Sequence, residues 1–181
     1  MLEILTLTTL SETQYVRLVA DSGYTSTEKY AVSKQESDER LLIALELVVL
    51  DKPYIKRWGY DDELEDEVYP KALAQGLSLG AYLDGELVGL ALTEKRAWNE
   101  TLWLWEFHVA EVQRGQGIGR RLMEALEQRA RAAGLRMLAL ETQNTNIPAI
   151  RFYRALGFEI EGIDLSLYSN EDVESGEVAL F

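Results

Sequence analysis

A chain of 181 residues, 47% of them hydrophobic and 27% charged, is enough for one domain with a substantial core and not comfortably enough for two. The absence of cysteine excludes a disulfide framework, thiolate–zinc sites and a cysteine nucleophile together. A formal charge of -13 argues against a nucleic-acid partner, which needs basic surface, and favours a cationic one.

Residues 2–8 alternate like a first strand. The opening residues Met1 to Thr6 lack a basic region and a small-residue cleavage site, and no apolar run reaches the roughly 18 residues of a membrane helix. The expectation is a soluble, cytoplasmic protein with no membrane partner. Ser11 suits the N-cap of a helix running to about Ala20. Residues 24–37 are polar and ambiguous; residues 41–50 are apolar and compatible with a strand, or with a helix, that Pro53 ends. Residues 58–76 read as an irregular or helical insertion. A meander follows: 77–83, a tight turn at Asp84-Gly85, 86–96, a turn near Asn99, then 101–109.

From Gly119 to Ala133 the period changes. Leu122, Met123, Leu126 and Ala130 follow helical spacing, and Gly134 supplies the stop. Residues 136–142 read as a buried strand, and 147–156 as a second helix with Asn146 as N-cap and Gly157 as terminator. Residues 158–168 and 178–181 complete the strands. A meander followed by helix, strand, helix and strand predicts an α+β (α/β) fold, a mixed sheet flanked by helices with one parallel crossover.

The turn Arg114-Gly115-Gln116-Gly117-Ile118-Gly119 lies between a strand and a helix N-terminus. Unpaired N–H groups and the positive helix end make that place an anion site, and glycine lets the backbone approach a phosphate. Residues 114–154 hold eight arginines against three glutamates, a charge of +5 that leaves -18 for the remainder. A basic island in an acidic chain points to an anionic ligand; exposed arginines on helix faces are the plainer alternative. A Walker A loop fails, because Arg120 and Arg121 stand where Lys and Ser or Thr belong. The dinucleotide fingerprint fails in both registers, at Arg120 and at Leu122.

Arg114, Gly117 and Gly119 do fit Arg-x-x-Gly-x-Gly, which resembles the pyrophosphate motif of the GNAT acetyltransferase superfamily. Asn146-Ile147-Pro148-Ala149-Ile150-Arg151-Phe152-Tyr153, followed by Gly157-Phe158, is similar to that family's Asn-x-x-Ala-x-x-x-Tyr segment. Ala149 and Tyr153 are four apart and share a helix face, where a small residue leaves room for a thin ligand arm. Finer similarity, in 140–143, Phe152-Tyr153, 162–168 and Pro53-Tyr54-Ile55-Lys56, is to streptothricin acetyltransferases, which acetylate a cationic antibiotic.

The resemblance implies a single GNAT domain over 1–181, with acetyl-CoA as cofactor and coenzyme A as product. Arg114, Gly115, Gln116, Gly117, Ile118, Gly119 and Arg120 would hold the pyrophosphate, and the backbone of Phe107, His108 and Val109 the pantetheine, in a slot opened by a bulge. Asn146, Ala149 and Tyr153 complete the cofactor set. An acceptor amine with a pKa of ~10.4 is neutral in only about one molecule in 2,500 at neutral pH, so a base is needed. Glu106 is the first candidate and Glu141 the alternative. Tyr153 remains protonated and is the candidate donor to the departing thiolate. His108, the one histidine, is left out of the chemistry.

Glu141, Asp164 and Tyr168 are candidates for the acceptor pocket, and the acidic run Asp61, Asp62, Glu63, Glu65, Asp66 and Glu67 would attract a polycation or simply face solvent. With no cysteine, direct transfer to a small cationic amine in a ternary complex is expected. Other acceptors (a polyamine, an amino acid, a peptide N-terminus) and a non-catalytic acyl-CoA sensor stand as alternatives. No metal is expected, and a homodimer is an admissible assembly.

Overall fold

In chain order the elements of the computed structural model are β1 (Leu2–Thr6), α1 (Glu12–Val19), β2 (Gly23–Ser37), β3 (Arg40–Arg57), α2 (Asp62–Ala74), β4 (Leu79–Leu83), β5 (Glu86–Arg96), β6 (Thr101–Val109), α3 (Ile118–Ala132), β7 (Met137–Leu140), β8 (Thr142–Gln143), α4 (Ile147–Arg154), β9 (Ile163–Asp164), α5 (Asp172–Ser175) and β10 (Ala179–Leu180). The structure describes residues 1–19, 22–58 and 62–181, with the backbone alone for 62–67. The acidic run therefore lies outside the described side chains. The chain divides into two units, one of residues 1–22 and 57–140, the other of 23–56 and 141–181.

The first unit holds a five-stranded sheet in the order β1-β4-β5-β6-β7, antiparallel except for the parallel pair β6–β7 that α3 connects. The meander is as expected. Asp84 and Gly85 both take positive φ (51° and 87°), which a two-residue turn matched to strand twist requires. Ser11 and Gln14 cap α1 reciprocally: the Ser11 hydroxyl accepts from Gln14 N–H at 3.3 Å, and the Gln14 side chain from Ser11 N–H at 3.0 Å. α3 buries Leu122, Met123, Leu126 and Ala130, the stripe read from the sequence, together with Ile118, and ends before Gly134 at φ 69°. Full burial of a leucine is worth about 1.5–3 kcal/mol, so this stripe fixes the helix in place. Leu7, Tyr15, Leu18, Val19, Tyr69, Ala72, Leu90 and Leu92 form a further core.

The second unit combines the β2–β3 ribbon, a small antiparallel sheet in the order β8-β10-β9, and α4. Asn144, 1% exposed, ties these pieces together. Its Nδ2 donates to the Tyr30 carbonyl at 2.7 Å and the Gly176 carbonyl at 3.3 Å, and its Oδ1 accepts from Val178 N–H at 2.7 Å. Arg151 pairs with Glu28 at 2.7 Å and Arg154 donates to the Tyr30 hydroxyl at 2.8 Å, holding α4 on β2.

Three boundaries differ from expectation. Pro53 does not end its strand, because β3 belongs to a two-stranded ribbon whose outer edge needs no N–H donor. The strand expected over 136–142 is two: β7 pairs with β6, whereas Thr142–Gln143 pairs with β10. The strand expected over 158–168 shrinks to Ile163–Asp164, because the Asp164 carboxylate accepts from Ser166 N–H at 2.9 Å and turns the chain.

Candidate active site

β6 carries the centre of the first unit's site. Its ladder with β7 covers Thr101 to Leu104, opposite Met137 to Leu140. Against β5 the register steps from Thr93↔Leu104 to Leu92↔Glu106, so Trp105 is an extra residue. Such a bulge bends the strand, and Glu106 to Val109 continue along β5 past the end of β7. The bulge expected from the family resemblance is thus present, just before Glu106.

Glu106 and His108 are two apart on the strand and project to one face. Their side chains are only 17% and 12% exposed, and His108 Nε2 lies 2.5 Å from Glu106 Oε2. The other carboxylate oxygen, Oε1, is 3.1 Å from the hydroxyl of Tyr69 on α2, which stands 2.9 Å from the hydroxyl of Tyr15 on α1. Burial, then the Glu106 charge, push the Tyr69 phenol far above its ordinary value, so it stays a proton donor. Sequence reasoning singled out Glu106 as a candidate base and His108 only as a backbone contact, and did not single out Tyr69 or Tyr15. No local signal links residues 37 or more positions apart to one carboxylate.

Past β6 the glycine turn closes on the strand end. Arg114 Nε donates to the Val109 carbonyl at 3.0 Å, and Gln116 Nε2 to the Val112 carbonyl at 3.3 Å. Gly115 and Gly117 have φ of 76° and 81°, and a Cβ on either would meet no atom within 4 Å. Gly117 is the N-cap of α3 and, among the described residues, no side chain caps it. The first amide N–H groups of α3, those of Ile118, Gly119 and Arg120, thus lie at a helix N-terminus with no described side-chain cap, and the Arg120 side chain is exposed.

The second unit holds the remaining predicted residues. Asn146 Oδ1 accepts from Ala149 N–H at 3.3 Å, so that asparagine caps α4. The Tyr153 ring packs between Phe152 and Phe158, with centroids at 5.4 and 5.6 Å. The Tyr168 hydroxyl donates to Glu141 Oε1, bringing those two acceptor-site candidates together. Asp164 is engaged with Ser166 instead. Around Glu141 and Tyr168 the sequence reading missed Tyr24 and Glu177 altogether, and saw Tyr54 and Lys56 only as part of a resemblance.

A model of the acetyltransferase (GNAT) family matches residues 43–158. The chain belongs to that family. Among curated relatives, the streptothricin acetyltransferase of Streptomyces lavendulae is 39% identical over 142 residues, 76% of this chain and 74% of the relative. A crystal structure of nourseothricin acetyltransferase superposes with a TM-score of 0.74 at 29% identity, covering 99% of this chain and 95% of the other. A Bacillus anthracis str. Ames structure in complex with acetyl coenzyme A gives 0.71 at 25% identity, covering 99% and 97%. The protein is therefore an acetyl-CoA-dependent N-acetyltransferase with the mixed-sheet GNAT fold. The α3 N-terminus, which no described side chain caps, and the glycine backbone beside it fit the cofactor's pyrophosphate. Among the described residues, no helix is long and apolar enough to cross a membrane.

Proposed function

We propose that this enzyme acetylates a primary amine of a small polycationic molecule of the streptothricin class, by direct attack in a ternary complex. The observation that carries the chemistry is Glu106, a half-buried carboxylate engaged on both oxygens, on the strand that leads into the glycine cradle. The similarity to streptothricin acetyltransferases supports the acceptor class.

Arg114, Gly115, Gln116, Gly117, Ile118, Gly119 and Arg120 hold the pyrophosphate on this reading, and the backbone of Phe107 to Val109 holds the pantetheine amides. Ala149 leaves room on α4, and Asn146 sets the start of that helix. When bound, acetyl-CoA supplies an acetyl group activated as a thioester. Glu106 takes the proton that the acceptor ammonium must lose before it can attack. Tyr69 orients the carboxylate through Oε1, and His108 on Oε2 offers that proton an exit. Tyr153 donates a proton to the departing sulfur. Glu141 and Tyr168 serve the acceptor rather than the base step. Residues 1–181 act as one acetyltransferase domain in the cytoplasm, and the exposed Leu41, Leu47, Val49 and Ile55 of β3 support a homodimer through that ribbon, to be checked by light scattering.

A thiol-release assay against streptothricin, lysine, spermidine and short peptides tests the reading. Turnover is expected with streptothricin, falling about 10²- to 10⁴-fold in Glu106→Gln while acetyl-CoA binding holds. Initial-rate lines should intersect; parallel lines would overturn the ternary complex.

A further inference from the structure

One cluster in the second unit extends beyond the acceptor residues named above. Lys56, at the end of β3, places Nζ 2.6 Å from Glu177 Oε1. The same ammonium lies 5.8 Å from the centroid of the Tyr168 ring. Tyr54, two residues before Lys56, directs its hydroxyl to that same Glu177 oxygen at 3.4 Å. Its ring stacks on Tyr24 at 6.0 Å and 27°. Tyr24 in turn bonds Thr145 Oγ1 at 2.6 Å, and Tyr168 bonds Glu141. Both glutamates act electrostatically on the Tyr24 and Tyr168 phenols, whose ionisation is pushed up mainly by burial. One primary ammonium therefore meets Glu177 and the Tyr168 ring, with Tyr54 on the same carboxylate oxygen and Tyr24 and Glu141 one contact further out.

An aromatic face, a carboxylate and phenol oxygens are the recognition set for an alkylammonium ion. The protein's own lysine shows the cluster binding that group. The pair it makes is easily given up: Lys56 and Glu177 are 24% and 23% exposed, and a partly solvated pair contributes little net stability. The lysine stem is flexible enough to swing away. With two carboxylates and one ammonium, the cluster stays attractive to cations even when Lys56 is in place.

On the reading that the acceptor is a polycation, we infer that Tyr24, Tyr54, Tyr168, Glu141 and Glu177 bind a second alkylammonium group of the acceptor, and that Lys56 is a resident surrogate which the acceptor displaces. Lys56 then competes with substrate. Removing it strengthens acceptor binding, whereas removing Glu177 weakens it. A salt bridge that only holds the fold would move both variants the same way.

The test is calorimetric titration of streptothricin into the enzyme–coenzyme A complex, with initial rates for 1,5-diaminopentane and pentylamine alongside. Lys56→Met should tighten streptothricin binding about 3- to 10-fold and lower KM for the diamine but not the monoamine. Glu177→Gln should weaken binding at least 10-fold. Lys56→Arg should behave like the parent, and Tyr168→Leu, which removes the ring face, should weaken polycation binding even if Glu177→Gln fails to fold. Weaker binding in Lys56→Met, or no change in any variant, overturns the inference. If no amine is turned over but the opposite-signed binding effects appear, the subsite stands and the catalytic reading falls.

Discussion

Glu106 is held on both oxygens, because α2 brings Tyr69 to one, with Tyr15 of α1 behind that phenol, while β6 itself brings His108 to the other. Tyr69→Phe removes one donor and little volume. It should lower kcat roughly 10-fold, less than the ~10²-fold or more that a group transferring the proton itself contributes, without changing the acetyl-CoA dissociation constant. Single-turnover rates beside calorimetry check that split. At the cradle, Gly117 is left-handed at φ 81°, so a test of the phosphate site must separate strain from charge. Asparagine tolerates that backbone and glutamate adds a negative charge. Gly117→Asn should weaken acetyl-CoA several-fold with a modest fall in Tm, and Gly117→Glu should abolish measurable binding. Gly115, Gly117 and Glu106 could be singled out as candidates in the sequence, since their spacing is local. Tyr69 and the side chain of His108 could not, since their contacts with Glu106 exist only once the chain is folded.

At the scale of elements, the segment from Asp164 to Gly176 shows how side chains override a strand pattern. Asp172 Oδ2 accepts from Tyr168 N–H at 2.9 Å and Oδ1 from the Ser169 hydroxyl at 2.7 Å, fixing the loop that presents Tyr168. Burial alone would raise the Asp172 carboxyl, but these hydrogen bonds outweigh it and hold the carboxyl below its usual value. A depressed folded value means stability that is present above the unfolded carboxylate range and lost as pH falls through the folded one. Asp172→Asn should therefore lower Tm at neutral pH, and the gap from the parent should close below pH ~4. A pair of melting curves at neutral and acid pH decides it. Elements set by local chemistry, such as the Asp84-Gly85 hairpin and the α3 stripe, were read correctly. The division at Glu141 was not, because which sheet claims residues 137–140 and 142–143 depends on remote partners.

Over the whole molecule, the charge of -13 should concentrate polycationic acceptors near the surface. Raising ionic strength shortens the Debye length to about 3 Å at 1 M, so KM for streptothricin should rise several-fold with salt while kcat holds. Tyr24, Tyr54, Tyr69, Tyr82 and Tyr168 all have phenols raised above the ordinary value, chiefly by burial. Raised folded values make stability complete below the unfolded phenol pKa of ~10 and declining above it. An absorbance titration should show these tyrosines ionising together with unfolding on the alkaline side. The mixed sheet with its single parallel crossover was visible as an order of periodicities, whereas the β2–β3 ribbon hid in a polar stretch that only its partners define. One consequence of the interleaved second unit concerns synthesis. β10 lies between β8 and β9, yet the ribosome delivers both of them first. Asn144 must likewise wait for Val178, 34 residues downstream, to receive its last bond. The nascent chain therefore holds an unfinished sheet until its final strand emerges, and a premature stop before residue 178 would release a chain that has no way to close it.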